Sequence, residues 1–205
     1  MQETQITLDS EIGALNTVVV HRPGREIENM TPASAAEVLY DDILNLQLAV
    51  RQHDQLTGVL RQVAEVHEFE DLLRDSLANE SVKARLVNEL VKLYGCEELA
   101  PELEEMDNGA LASQLFQGTP MRKDSLEKFL SPLRHAIPPL PNAFFTRDAV
   151  MAVNEHVIIG SMAFKARFAE ALLLKSIFKY HDSIRSDGFY FDGTESTSEK
   201  ITIEG

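Results

Sequence analysis

Two short apolar runs separated by a stretch of helical spacing limit the fold of this chain more than any other feature. In ALNTVVVHRP the run Val18 to Val20 is ended by Pro23 and Gly24 and reads as a buried strand. In DDILNLQLAVRQHDQLTGVLRQ the residues Ile43, Leu46, Ala49 or Val50, Leu56, Val59, Leu60 and Val63 recur near helical spacing. Asp41 or Asp42 is the expected N-cap, and Gly58 predicts a kink or a close approach. VAEVHEF reads as the next strand. Strand, helix, strand is the alternation of an α/β sheet protein.

The chain divides into three sections. Residues 1–69 carry the unit just described. Residues 70–132 change character: EDLLRDSL, SVKARLVNELVKLYG, GALASQLF and DSLEKFL place apolar residues three and four apart, between NE, GCEE, DNG and GTPMRKD turns. This pattern predicts an all-helical insertion, with its charges on a solvated face. Residues 133–205 follow through a proline connector, IPPLPN. There AVMAV and HVIIGS flank Asn154 and Glu155 as a hairpin. FKARFAEALLLKSIFKYH predicts an amphipathic helix with Phe164, Phe168, Ala171, Leu172 and Phe178 on one side, and GFYFDG and KITIEG alternate like strands. The sequence reaches Gly205 directly after a strand with no helix to cover it, so the expected whole protein is about twice this length.

Charge and residue usage exclude several functions. With 33 acidic against 19 basic residues the net charge is −14, which repels nucleic acid and anionic membranes. Neither a secretory signal nor a run of 18 apolar residues is present, so the expected location is cytoplasmic. Cys96 is the single cysteine and cannot form an internal disulfide; Glu97 and Glu98 beside it disfavour a thiolate. The six histidines lack zinc spacing, and GREIENM does not fit a phosphate loop, so no metal or nucleotide site is expected.

Chemistry concentrates in PNAFFTRDAV, residues 141–150. A carboxylate such as Asp148 can take two parallel hydrogen bonds from a planar guanidinium, among the stronger recognition devices in a partly dry pocket. It can equally cap a local turn. Regular strand alternation sets Phe145 and Arg147 on one face and Asp148 on the other, so spacing leaves both readings open.

SEIGALNTVVVHRPGREIENMTP, LYDDIL, PPLPNAFFTRDAV, MAFKARFAEALLLKSIFKYH and the closing ITIEG occur in an order and spacing that resemble bacterial arginine deiminase, over nearly the whole chain. The resemblance implies a partial pentein α/β propeller, built of ββαβ-type units around a central axis, with an all-helical domain inserted after the first units. It implies hydrolysis of L-arginine to L-citrulline and ammonia without metal or organic cofactor. A cysteine thiolate attacks the guanidinium carbon, ammonia leaves, water resolves the thiouronium-type intermediate, and a histidine handles protons. A related guanidine-modifying enzyme (an amidinotransferase, or a dimethylarginine or agmatine deiminase) and a non-catalytic arginine-binding module are the alternatives.

Carried over by motif, the resemblance makes Asp148 the aspartate that grips the guanidinium and Glu204, in the terminal IEG, the glutamate that partners the catalytic histidine and the substrate. Asn142 and Arg167 match residues that hold the amino acid end, Arg167 through its fork of donors to an α-carboxylate. Leu39 and Phe145 match residues along the aliphatic stem. If Phe145 and Asp148 both face the site, the segment must enter as a loop or an irregular strand start. Without the resemblance, Arg167 reads as a surface helix arginine near Glu170. The family's H-x-D motif, its second arginine, its late cysteine and the remainder of its E-G-G-D motif do not occur here, so the 205-residue chain alone is expected to be inactive. Homo-oligomers are plausible partners of an unfinished propeller.

Overall fold

Parallel pairing of two strands joined through helices realises the expected α/β unit. The computed structural model describes residues 3–30, 38–121, 134–195 and 202–204. Strand β1 is Thr4–Gln5, and β2 (Thr17–Val20) pairs in parallel with β3 (Glu65–Glu68), Val18 opposite Val66. Between β2 and β3 run α1 (Arg25–Glu28) and α2 (Leu46–Leu60). Strand β2 is only half-buried apart from Val20, because this sheet is two strands wide among the described residues.

Helix α2 departs from expectation at its start and on its apolar face. Asn45, not Asp41 or Asp42, is the N-cap: its backbone is extended and its side chain accepts a hydrogen bond from Leu48 N at 3.0 Å. Asp42 bonds instead to Ile43 N. The helix runs through Gly58 without a break, and nothing lies within 4 Å of a Cβ placed there. His53 and Thr57 form its buried side, whereas Leu48, Leu56 and Val59 are exposed.

In the next section three of the expected helices form, α3 (Phe69–Ser76), α4 (Glu80–Tyr94) and α6 (Asn108–Gln117), and between α4 and α6 lies α5 (Ala100–Glu105), which the sequence reading had not marked. Their boundaries are local chemistry. Asn79 caps α4 through Ser81 N, Gly95 ends it in the left-handed region at φ 69°, and Asp107 caps α6 through Gly109 N and Ala110 N. DSLEKFL lies outside the described residues. Strands β4 (Thr119–Pro120) and β5 (His135–Ile137), which no sequence signal marked, pair antiparallel and tie the end of this section to the proline connector.

In the last section a short 3-10 helix, Pro141–Phe144, leads into α7 (Thr146–Ala149). The hairpin of β6 (Val150–Val153) and β7 (His156–Ile159) turns at Asn154 and Glu155 as expected, with Asn154 at φ 51°. Helix α8 (Phe168–Tyr180) returns to β8 (Ile184–Arg185), parallel to β1, and β9 (Phe189–Asp192), parallel to β7. In KITIEG only Ile203 makes a bridge, to Ser161; Lys200, Ile201 and Gly205 lie outside the described residues.

Helix α8 is not one-sided. Ala169 to Leu174, Ser176 and Ile177 are buried, because α3 and α4 pack on one flank and the β6–β7 hairpin on the other, and Phe164 is exposed ahead of its start. A single core therefore joins Phe69, Leu72, Leu73, Leu86, Leu90, Leu111, Leu115 and Phe116 of α3–α6 with Ile137, Leu173, Leu174 and Ile177. Each such side chain contributes roughly 1.5–3 kcal/mol by leaving water. The described residues thus make a mixed α/β protein of eight α-helices and four small sheets, none closed. No described helix is long and apolar enough to cross a membrane.

Candidate functional site

The FTRD segment is neither a strand nor a disordered loop. Asp148 N donates to Phe145 O at 3.2 Å, and Thr146–Ala149 makes one helical turn before β6 begins. In such a turn residues three apart share a side. Phe145 and Asp148 can then face one way, while Arg147 makes a two-pronged exposed pair with Glu11, both contacts at 3.0 Å. This is the irregular entry that strand alternation would have forbidden.

Arg167 is the hub. It closes the 3-10 turn Lys165–Arg167 and is 5% exposed. Its Nη1 donates to Asp148 Oδ2 at 2.5 Å. Nε and Nη2 both donate to Glu170 Oε2, at 3.0 and 2.8 Å. Nη2 also lies 3.4 Å from the carbonyls of Asn142 and Phe145. The residue is therefore no surface arginine: its charge is buried, with a carboxylate on each edge of the guanidinium. Burial works to lower its pKa, but the hydrogen bonds and charges of Glu170 and Asp148 outweigh that and raise it.

Glu170, the partner on the first turn of α8, is 1% exposed. Burial pushes its carboxyl up to about 7, against the opposing pull of Arg167, with Asp148 and Glu204 adding like-charge repulsion. The carboxylates of Asp148 and Glu204 thus act on one buried group. Backbone packing brings their segments together as well, since a Cβ on Gly160 would sit 2.7 Å from Asp148 O and 3.1 Å from Ile203 O. Glu204 itself is exposed and accepts from Ala163 N at 2.5 Å.

Asn142 and Leu39 are drawn to the same place by two tethers. Asn142 Nδ2 donates to Val38 O at 2.7 Å, and Tyr40 Oη donates to Pro141 O at 2.9 Å, so Leu39 is fixed from both sides. Leu39 is a non-glycine residue at φ 67°, a conformation that costs of order 1 kcal/mol and persists only where neighbours enforce it. Its side chain and that of Phe145 are exposed. Asn142 is buried, with one bond of its side-chain amide made to Val38 O.

All six predicted residues, Leu39, Asn142, Phe145, Asp148, Arg167 and Glu204, therefore lie in one neighbourhood connected by Arg167, Glu170 and Gly160. Glu170 is the member sequence reasoning passed over as a surface partner. The signal available was an acidic residue in the otherwise apolar FAEALLLKSIF run, three positions from an arginine. Cys96 stands apart in the helical section, buried, its thiol pushed up by burial and by Glu98 and Glu97. Among the described residues no group of three or more His, Cys, Asp or Glu is placed to hold a metal ion.

Chemically, the cluster offers carboxylate oxygens to a planar cation and a guanidinium fork to a carboxylate, next to exposed apolar side chains. Residues 36–205 match the family model described as arginine deiminase. The chain is similar to the arginine deiminase of Pediococcus pentosaceus, 34% identical over 192 residues, covering 86% of this chain and 47% of that protein. Similar proteins include the arginine deiminases of Limosilactobacillus reuteri (33% identical, 91% of this chain, 49% of that protein) and Borrelia duttonii (31%, 98% and 52%). The chain spans about half the length of the curated relatives it matches.

Proposed function

Because this chain belongs to the arginine deiminase family, we propose that it serves the hydrolysis of L-arginine to L-citrulline and ammonia by supplying the substrate-gripping half of the site. In this reading Asp148 holds the guanidinium under attack, Glu204 lies across from it, and Arg167 with Asn142 receives the α-carboxylate end. Phe145 and Leu39 flank the aliphatic stem. A resonance-stabilised guanidinium carbon is a poor electrophile, so carboxylates that keep the group charged and aligned lower the barrier to thiolate attack. Buried Cys96, far from this cluster in sequence and with a raised pKa, is unsuited to be that thiolate.

The observation that carries the reading is the Arg167 to Asp148 contact. A guanidinium already sits on the carboxylate proposed to bind one. That contact supports a guanidinium-binding role for Asp148, where L-arginine would have to share or displace Arg167, since the carboxylate has a second oxygen to offer. The same reading takes the helices from Phe69 to Gln117 as an insertion, residues 1–69 and 133–205 as propeller units, and the fold as part of a pentein propeller. It is supported by family membership and by the β2–α2–β3 unit.

Titration calorimetry of the chain with L-arginine and agmatine tests it. The expected result is binding of L-arginine in preference to agmatine, which lacks the carboxylate, and loss of binding in Asp148→Asn. Equal affinity for both ligands, or arginine binding untouched by Asp148→Asn, would overturn the assignment.

A further inference from the structure

We propose that Glu170 is a positioning residue that fixes the Arg167 guanidinium and so sets discrimination for ligands bearing an α-carboxylate; this rests on the reading of Arg167 given above. An arginine side chain has two hydrogen-bonding edges, and a ligand carboxylate can be gripped in a defined direction only if one edge is already committed. Here Glu170 takes Nε and Nη2 through a single oxygen, Oε2, at 3.0 and 2.8 Å. That leaves Nη1 to point at Asp148. Glu170 also lies one turn along from Arg167, on α8, which the core holds on several flanks. The anchor is therefore rigid where the arginine is not.

Burial makes this anchor effective and leaves it responsive to pH. Glu170 is 1% exposed, and its second oxygen, Oε1, has no hydrogen-bond partner among the described residues. The charged and titratable groups facing it are Arg167 on its own approach turn, Asp148 on α7, Glu204 on the terminal segment, and the hydroxyls of Tyr40 and Tyr94, both of which feel its charge. Two of these carboxylates oppose its ionisation and one guanidinium favours it. Proton uptake by Glu170 would remove the charge that orients the Arg167 guanidinium, and with it the fixed direction in which Nη1 is held.

Two measurements on the 205-residue chain decide this. In the first, the Arg167 Nε–H resonance is followed by nitrogen-15 NMR in the wild type and in Glu170→Gln, an isosteric change that keeps an acceptor and removes the charge. A slowly exchanging signal that shifts with a midpoint near pH 7 in the wild type, and exchanges at least tenfold faster without that titration in Glu170→Gln, is expected. An Arg167 signal unaffected by the substitution would overturn the proposal. In the second, calorimetry compares L-arginine with agmatine: the arginine-to-agmatine affinity ratio should fall roughly tenfold in Glu170→Gln while agmatine binding changes little, a split that general loss of structure would not produce. An unchanged ratio would count against the proposal. Failure of wild-type chain to bind arginine at all would sink the proposed function, and the resonance of Arg167 would still decide the role of Glu170.

Discussion

Replacing Arg167 by methionine isolates the electrostatics of the buried cluster, because methionine fills similar volume without charge. In the wild type Glu170 titrates at about 7, against roughly 4.3 in an unfolded chain. A carboxyl raised on folding contributes stability that is present below its unfolded value and is lost as pH rises through its folded value. Arg167 pulls that folded value down, so its removal drives it higher and steepens the loss. At pH 8, one unit above the wild-type value, the variant's carboxyl, in a site that is 1% exposed, stays protonated, and linkage makes the penalty about 1.4 kcal/mol larger than in acid. At pH 5 the carboxyl is protonated in both proteins, and the remaining cost is the hydrogen bond to Asp148, about 1–2 kcal/mol. Urea unfolding at the two pH values measures both numbers. A penalty below about 1 kcal/mol at pH 8, or the same penalty at pH 5, would refute the claim that Glu170 is held ionised by Arg167.

Three further outcomes are expected. Gly58→Ala should stabilise the protein by roughly 0.5–1 kcal/mol, read as a thermal midpoint rise of about 2–4 °C, because the added methyl meets nothing and alanine favours the helix. Gly160→Ala should destabilise it by about 1–3 kcal/mol and weaken arginine binding, since the new Cβ would press on the backbone carbonyls of Asp148 and Ile203, which cannot swing aside as a side chain would. Arg147→Ala should change stability in urea by less than about 1 kcal/mol and leave arginine affinity within twofold, its pair with Glu11 being exposed and screened.

Local chemistry was legible in the sequence wherever one residue decides one bond. Gly95 at the end of α4 and the Asn154–Glu155 turn of the hairpin lie where glycine and turn signals placed them. The cap of α2 was misplaced by a few residues because Asp41 and Asp42 precede an apolar spacing that begins at Ile43, and only the backbone path selects Asn45, whose side chain reaches Leu48 N. The short strands β4 and β5 left no pattern to read, as two or three residues are too few for an alternation.

What the sequence by itself determined is the α/β alternation, the helical middle section and, through its motifs, the family and its six candidate residues. Only the tertiary structure decided which of those groups meet. It put a helical turn at Thr146–Ala149, and it buried Arg167 between Asp148 and Glu170. Burial is the physical reason for the difference. The spacing of Arg167 and Glu170 is that of an ordinary solvent-exposed helix pair, and its weight changes only when α3, α4 and the β6–β7 hairpin remove water from around α8.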